Sequence, residues 1–297
     1  MKMRVFITGG TGFIGSAVVN ELIGSGHEVI GLARSNSSAQ WLEKAGATVI
    51  NGSLENIDSL KRGAGSADAV IHTAYIHDFS NIGAAGETDR RAIEAIGETL
   101  AGSNRPFIVT SGIPVGKDGQ VITEDDDSDP KIFPRLSEAA ALPFAARGVR
   151  VSAVRPSRLV HGEGDKHGFT ARFVDIARKN GTAAYIGNGN KRCQAVHRLD
   201  VAYLFRLALE KGAVGARYHA VADEGITFRE IAEAIARRLN IPAVSISMEK
   251  AAEHFGFLAP IVGMDNPASS EKTQVSLGWQ PVHPTLLQDL ASDIYFA

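Results

Sequence analysis

The opening stretch, MKMRVFITGGTGFIGS, constrains this chain more than any other. From Met3 to Thr8 the residues are mostly apolar, β-branched or aromatic, the make-up of a buried strand, and the run stops at glycine. Gly9, Gly12 and Gly15 follow at three-residue spacing, and Phe13, Ile14, Ala17, Val18 and Leu22 continue as an apolar helical stripe toward Gly24 and Gly26. Strand, glycine turn and helix, in that order, are what a dinucleotide site needs. Gly9 lets the chain turn sharply, Gly12 lets the backbone approach a pyrophosphate, and Gly15 lets helix and strand pack closely. The helix N-terminus then offers free N–H groups and a partial positive charge to phosphate. Three spaced glycines also occur in purely structural turns; their place directly after a strand favours the dinucleotide.

The 297 residues suffice for a large α/β domain, or for such a domain with a smaller lobe. Hydrophobic residues make up 44% and charged residues 22%, an ordinary globular balance, and no apolar run approaches the roughly 20 residues that span a bilayer. No membrane association is expected. The first apolar run is too short and too glycine-broken for a secretory leader. The single cysteine, Cys193, can form no internal disulfide and belongs to no spaced metal-ligand set, so a cytoplasmic setting without a bound metal is expected. A net charge of −2 argues against a nucleic-acid partner and leaves a small molecule as the expected one.

Strand and helix alternate along the chain. A second strand, His27 to Ala33, ends at Arg34-Ser35, where an NAD site usually carries an acid for the adenosine ribose. Ala33 is neutral and Arg34 can clasp a 2′-phosphate through two N–H groups, with Ser35 and Asn36 as further donors, so NADP is favoured over NAD. The alternative is a solvated surface arginine. A short helix over 39–46 and a third strand, Ala47 to Ile50, lead to Ser53 and Leu54, which a doubly wound fold would bring near the adenine. After a helix from Ile57 to Arg62, the strand Ala69 to Thr73 is apolar throughout except for His72, read as a buried, hydrogen-bonded histidine. Tyr75, His77 and Asp78 lie on the following loop, placed to meet a ligand. A helix over Thr88 to Ala101 precedes the strand Phe107 to Thr110. That strand delivers Ser111 to the same sheet edge, either to orient a substrate oxygen or to cap its own turn. The acidic run Glu124 to Asp129 reads as a solvated loop, since it lacks the ligand spacing of a calcium loop. A helical pattern over Leu136 to Arg147 is interrupted by Pro143, which should kink or break it. The strand Val149 to Val154 then ends at Arg155-Pro156.

Beyond residue 156 the character changes. His161 to Asp165 is a glycine-rich loop, Phe169 to Lys179 a helix, Ala183 to Ile186 a short strand, Val201 to Glu210 an amphipathic helix and Arg217 to Ala222 a strand. Thr227 and Glu230 have capping-box spacing at the head of a helix that runs to Leu239. Val244 to Ser247 reads as a strand, followed by a helix through Phe255 and then by a loop rich in proline and serine. The expected organisation is a dinucleotide-binding domain over 1–156. Residues 157–297 form mainly a substrate-binding lobe, with segments returning to the first sheet. The fold class is α/β: a Rossmann-type doubly wound parallel sheet, helices on both faces, and a smaller C-terminal lobe.

The motifs Thr8 to Gly15, His72-Thr73-Ala74, Thr110-Ser111-Gly112, Arg155-Pro156, Val196 to Ala202 and Leu277-Gly278-Trp279-Gln280-Pro281 together resemble the short-chain dehydrogenase/reductase superfamily. The resemblance is to its extended or atypical branch, related to sugar-nucleotide epimerases and dehydratases, and it covers nearly the whole chain. It implies that Gly9, Thr11, Gly12, Phe13, Ile14 and Gly15 hold pyrophosphate, Arg34 and Ser35 the 2′-phosphate, and Ser53 and Leu54 the adenine. Thr73 and Ala74 would line the ribose and Pro156 the nicotinamide. It also implies a homodimer through the helices near 90–100 and 136–147.

One departure stands out. The superfamily's general acid is a tyrosine four residues before a lysine, on the helix after the serine strand, and this chain has no such pair. Lys131 and Arg135 occupy that spacing. Arg135 stays protonated and could hold ribose hydroxyls or an oxyanion, and Lys131 could act as an acid if its pKa were lowered. With Ser111 they form the candidate catalytic set, and Tyr75, His77 and His161, read as loop residues at the mouth, are further candidate acids and substrate contacts. Two functions are expected to compete: an NADP(H)-dependent oxidoreductase of a small carbonyl or alcohol, and a non-catalytic NADP(H) sensor or regulator. Epimerase or dehydratase action on a nucleotide sugar is opposed by Arg34 and by the missing tyrosine.

Overall fold

The computed structural model describes residues 2–77, 81–128 and 135–296. Its first half alternates β1 (Arg4–Thr8), α1 (Phe13–Gly24), β2 (Glu28–Ala33), α2 (Asn36–Lys44), β3 (Thr48–Asn51), α3 (Ile57–Gly65), β4 (Ala69–His72), α4 (Ile82–Leu100), β5 (Pro106–Thr110), α5 (Ser137–Ala141) and β6 (Arg150–Pro156). The second half continues β7 (Leu159–His161), α6 (Phe169–Asn180), β8 (Ala183–Ile186), β9 (Arg192–His197), α7 (Arg198–Lys211) and β10 (Arg217–Ala220). It ends β11 (Asp223–Thr227), α8 (Phe228–Leu239), β12 (Ala243–Ile246), α9 (Met248–Phe255), α10 (Ala259–Val262), α11 (Glu271–Leu277) and α12 (Leu286–Ala291).

Seven strands form one parallel sheet in the order β10-β6-β5-β4-β1-β2-β3. Alternation along each strand divides its side chains between two cores. Val5, Ile7, Ile108 and Val154 pack with α1, α2 and α7, while Phe6, Phe107, Val109 and Val151 pack with α3, α4 and Phe144. This is the doubly wound α/β architecture expected from the sequence. The chain reverses direction across the sheet between β1 and β4, which opens a crevice at their carboxyl ends, the usual ligand position in such sheets. From the second half, β10 pairs with β6 at the sheet edge and α7 lies against α1. The remainder builds a separate core around β7-β9-β11 and the β8-β12 pair, closed by α6, α8, α9 and α12.

Several elements differ from their sequence expectation for identifiable reasons. The α2 helix starts at Asn36 because the Ser35 side chain caps it, accepting from Ser38 N. The α4 helix starts at Ile82, six residues earlier than the periodicity indicates, because Asn81 caps it and tertiary packing overrides the glycines at 83 and 86. Pro143 divides the segment after α5 as expected, leaving a 3₁₀ turn over Leu142–Arg147. The α7 helix begins at Arg198 directly from β9, and the capping box of Thr227 and Glu230 forms at α8. The supposed proline- and serine-rich loop after Phe255 contains α10, α11 and α12.

The acidic run is exposed at Asp125 and Asp127, as expected of a solvated loop, but is anchored at its first residue, and Asp129 lies outside the described residues. Glu124 is buried and accepts from Thr273 N and Oγ1 at 2.8 and 2.6 Å. Asp125 pairs with Lys272, and Asp127 with Arg217 at 2.7 Å. The cations come from β10 and α11, so sequence-local repulsion gives no sign of them.

Candidate active site

The glycine turn closes on itself with little room to spare. Gly9 has φ +72° and Gly12 N donates to Gly9 O at 2.9 Å. A Cβ on Gly9 would stand 2.6 Å from Ala74 N, and one on Gly15 would stand 2.0 Å from Gly9 O and 2.8 Å from Thr73 Oγ1. Gly12 is the N-cap of α1 without a side-chain cap, so the N–H groups of Phe13 and Ile14 at the start of the helix precede the intrahelical ladder. Thr11 and Gly12 are exposed there. Space without side chains and N–H groups without partners fit a dinucleotide pyrophosphate. From the other side Arg198 braces this turn. Its guanidinium lies 4.6 Å from the Phe13 ring centroid, Nη2 donates to Ser16 Oγ at 2.7 Å, and Nη1 donates to Glu163 O at 2.7 Å.

At the end of β2, Arg34 is exposed and makes no ion pair or hydrogen bond among the described residues. Beside it the hydroxyls of Ser35, Ser37 and Ser38 cluster at the start of α2, with Ser35 Oγ 3.0 Å from each of the other two. Ser53 and Leu54 follow β3, where Ser53 borders a shallow open depression with Glu55, Asn56, Ile57 and Asp58. Thr73 Oγ1 donates to Thr8 O at 2.8 Å, so its hydroxyl ties β4 to β1. Pro156 is the buried last residue of β6, and Ser111, buried directly after β5, shares this carboxyl edge.

Beside the crevice lies a hydrogen-bonded chain that sequence reasoning found only at His72. Thr8 Oγ1 and His72 Nδ1 are 2.8 Å apart, His72 Nε2 and Asp89 Oδ1 2.9 Å, and Ser137 Oγ and Asp89 Oδ2 2.5 Å. Arg135 Nε donates to Ser137 Oγ at 2.9 Å. Thr8, His72, Asp89 and Ser137 are fully buried. Burial penalises the Asp89 carboxylate, yet His72, Arg135 and Ser137 more than offset this and hold its pKa below the usual range. Asp89 could have been noticed as a carboxylate on the apolar face of α4, one turn before Ala92 and Ile93.

Arg135 does not occupy the helical place its spacing suggested. It precedes α5, which begins at Ser137, and Lys131, like Asp78, lies outside the described residues. The Arg135 guanidinium instead sits 4.5 Å from the Tyr75 ring centroid, and its buried Nη2 has no hydrogen-bond partner. His77 stands edge-on to Tyr75 with centroids 5.3 Å apart, and desolvation followed by the Arg135 charge lowers its pKa. His161 is corrected outright. It lies in β7, fully buried, with Nδ1 2.6 Å from Asp289 Oδ2, and thus belongs to the lobe core and not to a loop at the mouth.

The late motifs meet each other away from the crevice. Asp200 accepts from Val282 N, His283 N and His283 Nδ1 at 3.0, 3.2 and 2.7 Å, and Trp279 Nε1 donates to Asp200 O at 3.0 Å. These residues fasten the C-terminal segment to α7. Among the described residues no group of three His, Cys, Asp or Glu side chains could hold a metal ion, and no helix is long and apolar enough to cross a membrane.

A family profile described as NAD(P)H-binding matches residues 9–202, from the glycine turn through the head of α7. The chain belongs to this NAD(P)H-binding family. This NAD(P)H-binding family member is 51% identical over 296 residues to an uncharacterised protein of Schizosaccharomyces pombe, covering 99% of this chain and 100% of the other. It is 28% identical over 244 residues to a decarboxylating sterol-4-alpha-carboxylate 3-dehydrogenase of Dictyostelium discoideum, covering 76% and 74% of the two chains. Its fold is similar to that of a UDP-glucose 4-epimerase from Thermotoga maritima in a structure with UDP-glucose, at TM-score 0.78 and 21% identity over 97% and 96% of the two chains. The protein is thus an NAD(P)-binding protein.

Proposed function

We propose that this protein is an NADP(H)-dependent oxidoreductase that moves hydride to or from a small carbonyl or alcohol. The supporting observation is the unpaired Arg34 beside the hydroxyls of Ser35, Ser37 and Ser38 at the head of α2, on the same sheet edge as the open α1 terminus and Ser111. A guanidinium, hydroxyls and a helix N-terminus suit a 2′-phosphate, and no carboxylate stands at Ala33 to repel it. When bound, the nicotinamide supplies or accepts the hydride. Ser111 orients the substrate oxygen, Pro156 borders the nicotinamide, and the loop bearing Tyr75 and His77 meets the substrate. The dehydrogenase among the relatives favours this class of reaction. Pairing of two copies through α4 and α5 belongs to the same proposal and is read from the mass in solution.

Titration with NADPH and NADH tests the reading. Arg34→Gln should weaken NADPH about 10- to 100-fold, the loss of one or two hydrogen bonds to a charged group, and leave NADH unchanged. A wild-type preference for NADH rejects the assignment of Arg34. The second reading, a non-catalytic NADP(H) sensor, is favoured by the missing Tyr-Lys pair and by Arg135 lying off the helix. Tight NADPH binding without turnover across a broad carbonyl panel selects it, and loss of turnover in Ser111→Ala selects the oxidoreductase.

A further inference from the structure

We propose that Tyr75 is the proton donor of this site and that Arg135, fixed by the buried chain through Ser137, Asp89, His72 and Thr8, is its charged partner. The proposal rests on the hydride-transfer reading above and names the group that takes the place of the missing acid.

The proton inventory of the chain leaves little choice. Ala74 N approaches Thr8 Oγ1 at 3.4 Å, which frees the Thr8 hydroxyl to donate to His72 Nδ1. His72 then carries its proton on Nε2 and donates to Asp89 Oδ1. Ser137 donates to Asp89 Oδ2 and can accept only because Arg135 Nε brings the next proton. Every member is satisfied with Asp89 ionised, its carboxylate accepting from His72 Nε2 and Ser137 Oγ. The chain begins at Ala74 and returns, through Arg135, to the ring of Tyr75, so it encloses the segment that leaves β4 at the crevice. Arg135 cannot swing away without breaking its bond to Ser137, which is itself held by a buried carboxylate. The guanidinium is therefore set over an aromatic face, with Nη2 buried and unpartnered. The Tyr75 hydroxyl makes no hydrogen bond among the described residues, and the residue is half-buried, two positions from Thr73 at the end of β4.

The chemistry follows from these positions. Burial pushes the Tyr75 phenol up, so it remains protonated at neutral pH, and the Arg135 charge opposes that rise. As hydride adds to the carbonyl carbon, the C=O π electrons move to oxygen. That oxygen takes the Tyr75 proton as the phenol O–H bond breaks, and the phenolate left behind faces the guanidinium. Solvent then returns a proton to the phenolate. The two electrons that pass to carbon would come from the reduced nicotinamide when it is bound. Asp89, Ser137 and His72 are positioning residues, since each acts through Arg135 or through the backbone at Ala74.

The test uses full-length protein labelled with ¹³Cζ-tyrosine. The Tyr75 resonance is identified by its disappearance in Tyr75→Phe, and its alkaline titration is followed in wild type, Arg135→Gln, Arg135→Lys and Ser137→Ala. Arg135→Gln should raise the midpoint by about one pH unit or more, and Arg135→Lys should restore most of the difference. Ser137→Ala should move it the same way by less, which a role confined to holding the fold does not produce. Tyr75→Phe should leave the NADPH Kd within about twofold and lower carbonyl turnover by about 100-fold or more. Turnover in Tyr75→Phe within about threefold of wild type overturns the acid assignment. An unmoved midpoint in Arg135→Gln overturns the couple whether or not turnover is found. NADPH binding with no turnover of any carbonyl overturns the oxidoreductase reading itself, a result distinct from either.

Discussion

Gly15 is the residue whose side chain, or lack of one, has the clearest consequence. A methyl group there would have to occupy space 2.0 Å from the carbonyl oxygen of Gly9, which is backbone and cannot rotate away. Gly15→Ala should therefore cost about 2 kcal/mol of stability by overpacking, seen as a lower urea midpoint with unchanged slope. The same shift of α1 from β1 should weaken NADPH at least tenfold, and an unchanged midpoint would show that the turn can yield. Gly9 and Gly15 were legible from their spacing because each acts on atoms a few residues away. Arg135 was legible only as a basic residue; that it touches Tyr75 depends on two loops from opposite sides of α4, and no local pattern encodes that contact.

At the scale of elements, the joint between α7 and the C-terminal segment deserves a direct test. Asp200 is fully buried at the head of α7 and satisfies two backbone N–H groups and a ring nitrogen beyond Trp279, itself fully buried. Asp200→Ala leaves those donors unpaired, with an expected loss of about 3 kcal/mol. Limited proteolysis should then cut after α11 while the NADPH site is still intact. Cleavage no faster than in wild type would mean that Trp279 alone secures the segment. The α2 and α4 boundaries make a related point. Both starts were missed because a serine or asparagine cap, and not hydrophobic periodicity, decides where a helix begins. The acidic segment is exposed at Asp125 and Asp127 as its self-repulsion indicates, whereas the burial of Glu124 is set by Thr273 of α11, far away in sequence.

For the whole molecule, the second half completes the first. Arg155 on β6 is fully buried and donates to both carboxylate oxygens of Glu138 on α5, from Nε and Nη2 at 2.8 and 2.7 Å. His219 on β10 lies against it. His219 Nδ1 donates to Ser269 O at 2.8 Å and Nε2 faces Arg155 Nη1 at 3.4 Å, so the ring is held neutral. Burial lowers its pKa from 6.5 to about 4, helped by the Arg155 charge and opposed by Glu124, Glu138 and the Ser269 carbonyl. The unfolded chain takes up a proton near pH 6.5 while the folded one does not until about pH 4. Stability from this group is therefore complete above pH 6.5 and is lost as pH falls toward 4, by about 3 kcal/mol in all. Urea melts across that range should show the loss, and His219→Gln should flatten it. An equal acid loss in the variant would place the sensitivity elsewhere.

Sequence alone determined the parallel α/β architecture and the dinucleotide turn. Strand, glycine spacing and helix are specified by residues within about one helical turn of each other, where periodicity and backbone sterics act. Only the tertiary structure decided what stands beside that turn. His72 meets Thr8 across 64 residues and Asp89 across 17, and Asp89 meets Ser137 across 48. Each of these contacts depends on which strand lies next to which in the sheet. The opening sixteen residues thus specify a place for a dinucleotide, and strand order supplies the buried chain that sets Arg135 over Tyr75 at its edge.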